Sequence, residues 1–222
     1  MRGHMKRFTL ILVTMIFACA LLAGCGASWD GVADDAVVAQ VGDISITYRL
    51  LKYYSAQQEI GSEIANELLK EQGQQVKAEK LSEQDYLDEL IENAALAQVA
   101  LSRDDALSRD DALSRAKEEF TQVNYDYLED YNNKLKEKMG FNDDELLAVA
   151  AEDRYISLNA DLVLADVAES LGDSVAQDKL GDEIAKKLAE LTNGLEIKQL
   201  IPTEKTVKPD FKKLGGQAAI LY

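Results

Sequence analysis

Two short β-favouring runs open the patterned part of the chain, and helical spacing follows them. Val37 to Val41 is rich in valine, and a second run, Ile44 to Ile46, continues after Gly42-Asp43. Glycine at the first central position of a two-residue turn is typical of a tight β-hairpin. Thr47 stands where a helix N-cap is expected, because its hydroxyl can accept a hydrogen bond from a first-turn amide. The pattern predicts a hairpin that leads directly into a helix.

Two helices are predicted in the next fifty residues. Apolar residues at helical spacing begin at Tyr48 and fade near Gly73. Ser82 to Asp85 forms a capping box in which Asp takes the place of Glu, and the apolar positions of a second helix follow from Leu87 to Ala95.

A six-residue repeat follows the second helix. Ala100 to Asp105 reads Ala-Leu-Ser-Arg-Asp-Asp, residues 106–111 repeat it, and residues 112–115 begin it again. In one continuous helix a six-residue period would turn Leu101, Leu107 and Leu113 in three directions, because the period does not match 3.6 residues per turn. The repeat is therefore interpreted as a slipped duplication that lengthens a helix or a loop.

Helical spacing resumes after the repeat. Phe120 to Met139 carries one apolar stripe, which Gly140 ends. Asn142 and Glu145 form a second capping box, and the helix that they open is predicted to continue to about Gly172.

The last third of the chain predicts one more helix and a late strand. The helix covers about 174–192 and ends at Asn193-Gly194. Leu195 to Ile201 is strand-like and Pro202 closes it; the rest is expected to be extended or irregular, with Ala218 to Leu221 as a possible short strand. The predicted fold class is mostly α, with long helices and a small β-sheet formed by the N-terminal hairpin and the late C-terminal strand.

The first two dozen residues have the pattern of a targeting segment. Arg2, Lys6 and Arg7 precede an apolar run from Phe8 to Leu22, which is short for a membrane-spanning helix. Leu22 to Cys25 resembles the lipobox of bacterial lipoproteins, in which the cysteine carries the lipid. The alternatives are an ordinary secretory signal with a chance cysteine, or an uncleaved anchor helix.

Four segments follow from these patterns. Residues 1–24 are expected to be a lipoprotein signal peptide, 25–36 a tether, 37–202 a helical domain and 203–222 a C-terminal extension. The expected location is extracytoplasmic, on the bacterial cell membrane, with lipid on Cys25 as the anchor.

The amino-acid composition limits the partners and the catalytic mechanisms that the chain can have. The 222 residues hold 40 acidic and 24 basic side chains, for a formal charge of −16, which argues against nucleic acid as a partner. The single histidine, His4, and one of the two cysteines, Cys19, lie in the predicted leader, and lipid would occupy Cys25. A mature chain without histidine or free thiol cannot use a Ser-His-Asp or Cys-His mechanism. No catalytic residue, metal site or cofactor is therefore predicted, although a site built from carboxylates alone stays open.

Residues 37–47 resemble the opening of the SurA/PrsA family of extracytoplasmic folding factors, in which a valine-rich strand, a glycine-containing turn and a capping threonine lead into the first helix. The helix start at residues 140–146 and the late strand, Leu195 to Ile201, are similar to later parts of that N-terminal domain. The resemblance covers about residues 36–202 and implies a chaperone domain that cradles unfolded clients. The family's parvulin domain has no room between Gly172 and Thr192, so prolyl isomerase activity is not implied.

Aromatic and methionine side chains are the candidates for contact with clients, because they offer polarizable area without demanding one shape. The alternative for each is a place in the core. Tyr53 and Tyr54 differ from the others, since adjacent helical positions cannot both face one core. The candidates are Tyr53, Tyr54, Phe120, Tyr127, Tyr131, Met139, Phe141 and Tyr155.

The leading functional hypothesis is a lipid-anchored chaperone-like protein that binds unfolded or secreted polypeptides. The alternatives are a non-catalytic helical module that docks one envelope partner, and an enzyme that works through carboxylates. An open apolar cleft would favour the first, a flatter patch with an aromatic centre the second, and converging carboxylates in a deep pocket the third. The sequence leaves the oligomeric state open.

Overall fold

A computed structural model describes residues 29–71, 81–121, 126–172 and 174–221. The predicted signal peptide and the lipidation site, Cys25, lie outside the described residues. The fold is mostly helical, with a small four-stranded antiparallel sheet built from an N-terminal hairpin and late strands. The predicted fold class is confirmed.

The sheet joins the two ends of the described chain. Strands β1 (Val37–Val41) and β2 (Ile44–Thr47) form the predicted hairpin, and Gly42 takes a φ of +53° in its turn. Strand β3 (Ile197–Gln199) pairs with the other side of β1, as the late strand was expected to do, and β4 (Lys205–Thr206) pairs with β3. The strand order is therefore β2-β1-β3-β4, with β2 at one edge.

Seven helices complete the described chain. In sequence order they are α1 (Tyr48–Glu71), α2 (Glu83–Ala100), α3 (Arg109–Thr121), α4 (Asp126–Met139), α5 (Asp143–Gly172), α6 (Gln177–Leu191) and α7 (Lys212–Leu221).

The predicted helix starts are confirmed by their hydrogen bonds. The Thr47 hydroxyl accepts a bond of 3.2 Å from the amide of Leu50 at the start of α1. Ser82 and Asp85 cap each other's amides at α2. At α5, the Asn142 side chain accepts from the amide of Glu145 while that carboxylate accepts from the amide of Asn142, both at 3.0 Å. These signals act within four residues, so the sequence alone locates them.

Helix α5 is the centre of the helical layer. It packs against α1, α2, α3, α6 and α7, while α1 and α2 also contact β2. Leu87, Leu90 and Ile91 of α2 are at most 1 % exposed, as is Leu146 of α5. Helix α4 is different, because it packs chiefly against α1.

The end of the chain corrects the prediction of a short strand at Ala218 to Leu221. Those residues lie in helix α7, which packs along α6. A Cβ added at Gly215 would stand 2.3 Å from the carbonyl oxygen of Gly181, so the two helices approach within backbone contact. Gly215 and Gly216 suggested irregular structure because glycine weakens an isolated helix. In the folded chain the missing side chain at Gly215 permits the close approach.

The stripe from Phe120 to Met139 does not lie on one described helix. Phe120 is near the end of α3, which packs on α5, whereas Tyr131 and Met139 belong to α4 on α1. Residues 122–125 lie outside the described part. Spacing alone could not reveal the division, because apolar positions on two successive helices continued the same three-and-four rhythm.

The described part of the predicted tether is bound to the fold. The ring of Trp29 stacks on Tyr48 with centroids 5.6 Å apart, and Asp34 forms an ion pair of 2.7 Å with Lys52. Residues 29–36 therefore lie along the first turns of α1, and the peptide oxygen of Asp34 accepts from the amide of Arg49.

Candidate functional site

Seven of the eight predicted client-contacting residues have described side chains, and these seven fall into two groups. Tyr53 and Tyr155 are 3 % and 9 % exposed and belong to the core. Tyr127 is in α4, and its side chain is outside the described residues. The other five are partly buried and pack against the edge of the core: Tyr54, Phe120, Tyr131, Met139 and Phe141. They stand on different elements, so they do not form one stripe.

Tyr53 and Tyr54 have different surroundings. The Tyr53 hydroxyl accepts a bond of 2.8 Å from the Gln57 amide inside the fold. The Tyr54 hydroxyl donates to Glu89 at 3.1 Å, and its ring meets Tyr86 edge-on at 6.2 Å. Tyr54 thus lies where α1 packs against α2.

A buried carboxyl group lies beside the tyrosines. Asp153 of α5 is 6 % exposed, and its pKa is raised to about 6, chiefly by burial. The Arg154 charge opposes this shift, and the smaller effect of Glu119 adds to it. Burial and the Asp153 charge raise the pKa of Tyr131 to about 12 and that of Tyr53 well above its ordinary value. A buried carboxylate in such surroundings destabilises the fold, and the neighbouring charge of Arg154 offsets that cost only in part.

A first cleft of about 210 Å³ lies between α1, α2 and α7. Tyr54, Glu89 and Glu92 line one side, and Lys213 of α7 forms an ion pair with Glu89. Burial, together with the nearby Asp210 carboxylate, raises the pKa of Glu92 to about 7. Sequence patterns did not reveal this cleft, because one wall is the helix that they failed to predict.

A second cleft of about 150 Å³ runs between the edge strand β2 and helix α5. Asp43 and Ser45 line the strand side, and Glu152 and Tyr155 line the helix side. Arg109, the first residue of α3, places its guanidinium carbon 4.4 Å from the centre of the Tyr155 ring. Burial raises the pKa of Glu152, whereas the positive charges of Arg109 and Arg49 lower it.

Neither cleft resembles a metal or nucleophile site. The described residues hold no group of three or more His, Cys, Asp or Glu side chains arranged to bind a metal ion. Within the same ranges, no helix is long and apolar enough to cross a membrane. No protein-family model, curated protein or solved structure matches the chain. The first cleft presents polar and aromatic side chains between helices, and the second presents them beside the edge strand β2.

Proposed function

We propose that this chain is an extracytoplasmic, membrane-anchored, chaperone-like protein that binds unfolded or secreted polypeptides without isomerase chemistry. The observation that carries the proposal is the position of α4, which packs chiefly against α1 and leaves Tyr131 and Met139 at the margin of the core. Side chains of this kind offer adaptable contact area to chains of varied sequence.

An aggregation assay tests the proposal. The lipid-free chain (residues 26–222) is expected to slow the aggregation of an unfolded secreted protein at equimolar concentration. A Tyr131→Ala, Met139→Ala double variant is expected to lose most of that effect, while Glu137→Ala, an exposed change on the same helix, retains it. If the unchanged chain neither slows aggregation nor binds the unfolded protein, the proposal is wrong.

The anchor is a separate part of the proposal. Cys25→Ser is expected to abolish incorporation of labelled lipid and to release the chain into the soluble fraction. The variant would lack the two acyl chains that are proposed to hold the protein at the bilayer. Unchanged membrane retention in that variant would contradict lipid anchoring at Cys25 without touching the proposal of polypeptide binding.

A specific docking module is the second candidate, and the clefts favour it over an apolar cradle. Charged and other polar side chains line both of them. The large apolar side chains that are exposed among the described residues lie in three separate segments of the chain: Leu191, Leu200 and Ile220. A panel of unrelated unfolded proteins separates the two functions. A chaperone slows the aggregation of most of them, whereas a docking module affects none and binds one envelope partner.

A further inference from the structure

The edge of strand β2 is open beside the second cleft. In the described sheet β2 pairs with β1 on one side only. Val41 and Ile44 close the two-residue turn, and Gln40 faces Ser45 in the next pair. Hydrogen-bonded and non-hydrogen-bonded pairs alternate along an antiparallel ladder, so the N–H and C=O of Ser45 point away from β1. Ser45 therefore presents a backbone donor and acceptor to the cleft.

The opposite edge of the sheet is less suitable for another strand. Strand β4 has two residues, both exposed, and one of them is Lys205. Short length and an edge lysine are common protections against unwanted pairing. Strand β2 has four residues and no lysine, so the two edges differ in what they permit.

The walls of the cleft carry two carboxylates and one guanidinium, those of Asp43, Glu152 and Arg109. Among the described residues neither carboxylate has a basic nitrogen within ion-pair distance, although the positive charges of Arg109 and Arg49 act on Glu152 from further away. Arg109 has the ring of Tyr155 as its neighbour in the described structure, and guanidinium N–H groups are donors for carbonyl oxygens. The whole chain has a charge of −16, which attracts cationic partners.

We infer that an extended polypeptide segment carrying a lysine or arginine adds to the sheet as a strand beside β2. Its backbone pairs with Ser45, its carbonyl oxygens accept from Arg109, and its basic side chain lies between Asp43 and Glu152. Main-chain pairing supplies affinity that is independent of sequence, and the carboxylates select for positive charge. Strand addition of this kind deepens the proposed function, on which it rests, by naming the chemistry of the client.

Short peptides test the inference with the full chain in detergent. The probe is a fluorescein-labelled heptapeptide of alternating valine and threonine with a central lysine, and its twin has glutamine in place of the lysine. Anisotropy is expected to show binding of both, with the lysine peptide tighter. Ser45→Pro, which removes the outward N–H at an edge position that tolerates proline, is expected to weaken both about tenfold. Ser45→Ala keeps the N–H and should bind as the unchanged chain does.

The charge is tested separately. Glu152→Gln is expected to weaken the lysine peptide about threefold and to leave its glutamine twin unchanged, because an exposed ion pair contributes little. If Glu152→Gln weakens the binding of both peptides to the same degree, the assigned role of Glu152 is wrong.

N-methylated peptides keep the test decisive if Ser45→Pro does not fold. Methylation of the amides on one edge of the peptide is expected to abolish binding to the unchanged chain, while methylation of the alternate amides is tolerated. Equal binding of both methylated forms, or no binding of the unmethylated peptide, would overturn strand addition. So would a dimer that Ser45→Pro dissociates, since a second copy would then occupy the edge. If aggregation is still suppressed in any of these cases, the proposed function survives and only the inference falls.

Discussion

Two successive copies of Ala-Leu-Ser-Arg-Asp-Asp adopt different structures. The first, residues 100–105, ends α2 and turns out of it: the amide of Leu101 still donates to the Ala97 oxygen, and the Ser102 hydroxyl donates to the Val99 oxygen. The second, residues 106–111, begins α3. There the Ser108 hydroxyl accepts from the amide of Asp111 at 3.1 Å, which makes it an N-cap.

A residue far along the chain separates the two copies. Asn159 of α5 is fully buried, and its side chain accepts from the Leu107 amide at 2.8 Å and donates to the Leu107 oxygen at 3.2 Å. Leu101 has its partner within α2 and needs no such support. The comparison teaches that a strong local signal, Ser followed three residues later by Asp, is used only where tertiary contacts place the chain for it.

Replacing Asn159, whose side chain holds the second copy of the repeat, is expected to cause the largest loss of stability. Asn159→Leu keeps the volume but leaves the Leu107 N–H and C=O without partners, at a cost of about 4 kcal/mol in the free energy of unfolding for the two groups. Urea denaturation measures it. The matched change at the first copy, Asp166→Asn, removes an exposed partner of Arg103 and should cost under about 0.5 kcal/mol. Similar losses for both would contradict the comparison.

Another pair of identical neighbours extends the comparison. Gly215→Ala forces a methyl group to within 2.3 Å of the Gly181 oxygen, whereas an added Cβ at Gly216 meets nothing within 4 Å. The first change is expected to cost about 3 kcal/mol, and the second to add roughly 0.5 kcal/mol because alanine favours a helix. Thermal unfolding of the two variants separates them. A stabilised Gly215→Ala chain would contradict the close approach of α6 and α7.

Two aspartates are expected to respond to pH in opposite directions. Burial raises the pKa of Asp153 to about 6 from 3.8, so the folded state binds this proton more tightly than the unfolded state. Its charge therefore destabilises the fold at pH 7, and that penalty disappears as the pH falls through 6 towards 4. Asp153→Asn is expected to be more stable than the unchanged chain at pH 7 by about 2 kcal/mol, and equally stable near pH 4.

Hydrogen bonds from Ser108 lower the pKa of Asp111 in the second copy, so its contribution is present above its unfolded pKa and is lost as the pH falls through its folded value. Asp111→Asn serves as the control of opposite sign, because it should be less stable than the unchanged chain at pH 7, and that deficit should shrink as the pH falls. If Asp153→Asn is less stable than the unchanged chain at pH 7, the buried carboxylate has partners that outweigh its desolvation.

The smallest expected change in stability tests most directly whether the two copies of the repeat differ. Ser108→Ala removes the N-cap of α3 and should cost about 1 kcal/mol, whereas Ser102→Ala removes a hydroxyl bonded to a carbonyl at the end of α2 and should cost close to nothing. Chemical denaturation under identical conditions measures both. Equal costs would mean that the cap does not distinguish the two copies.

Much of the fold was predictable because its signals are satisfied locally. The turn at Gly42, the caps at Thr47, Ser82 and Asn142, and the stop at Gly140, whose φ is +68°, all act within a few residues. The pairing of the late strand with the hairpin was expected from the layout of the elements and is confirmed.

The clefts were not predictable in the same way. Arg109 belongs to a repeat and Tyr155 to an apolar stripe, and no spacing connects residues 46 positions apart along the chain. Lys213 of α7 lines the first cleft. That helix was not predicted, because Gly215 and Gly216 suggested irregular structure. Of the candidate aromatics, Tyr54 and Tyr131 lie at the margin of the core, whereas Tyr53 and Tyr155 lie within it. Their contact with clients stays a prediction.

By itself the sequence determined where most helices and strands begin, because caps, turns and apolar periods need only neighbouring residues. It also determined an acidic chain with a cysteine, Cys25, after an apolar run. Only the tertiary structure decided which of two identical hexapeptides caps a helix, which glycine permits a close approach, and which strand edge stays open. Those outcomes depend on contacts between residues that are distant in sequence, such as Asn159 with Leu107 and Gly181 with Gly215, and only folding brings these residues together.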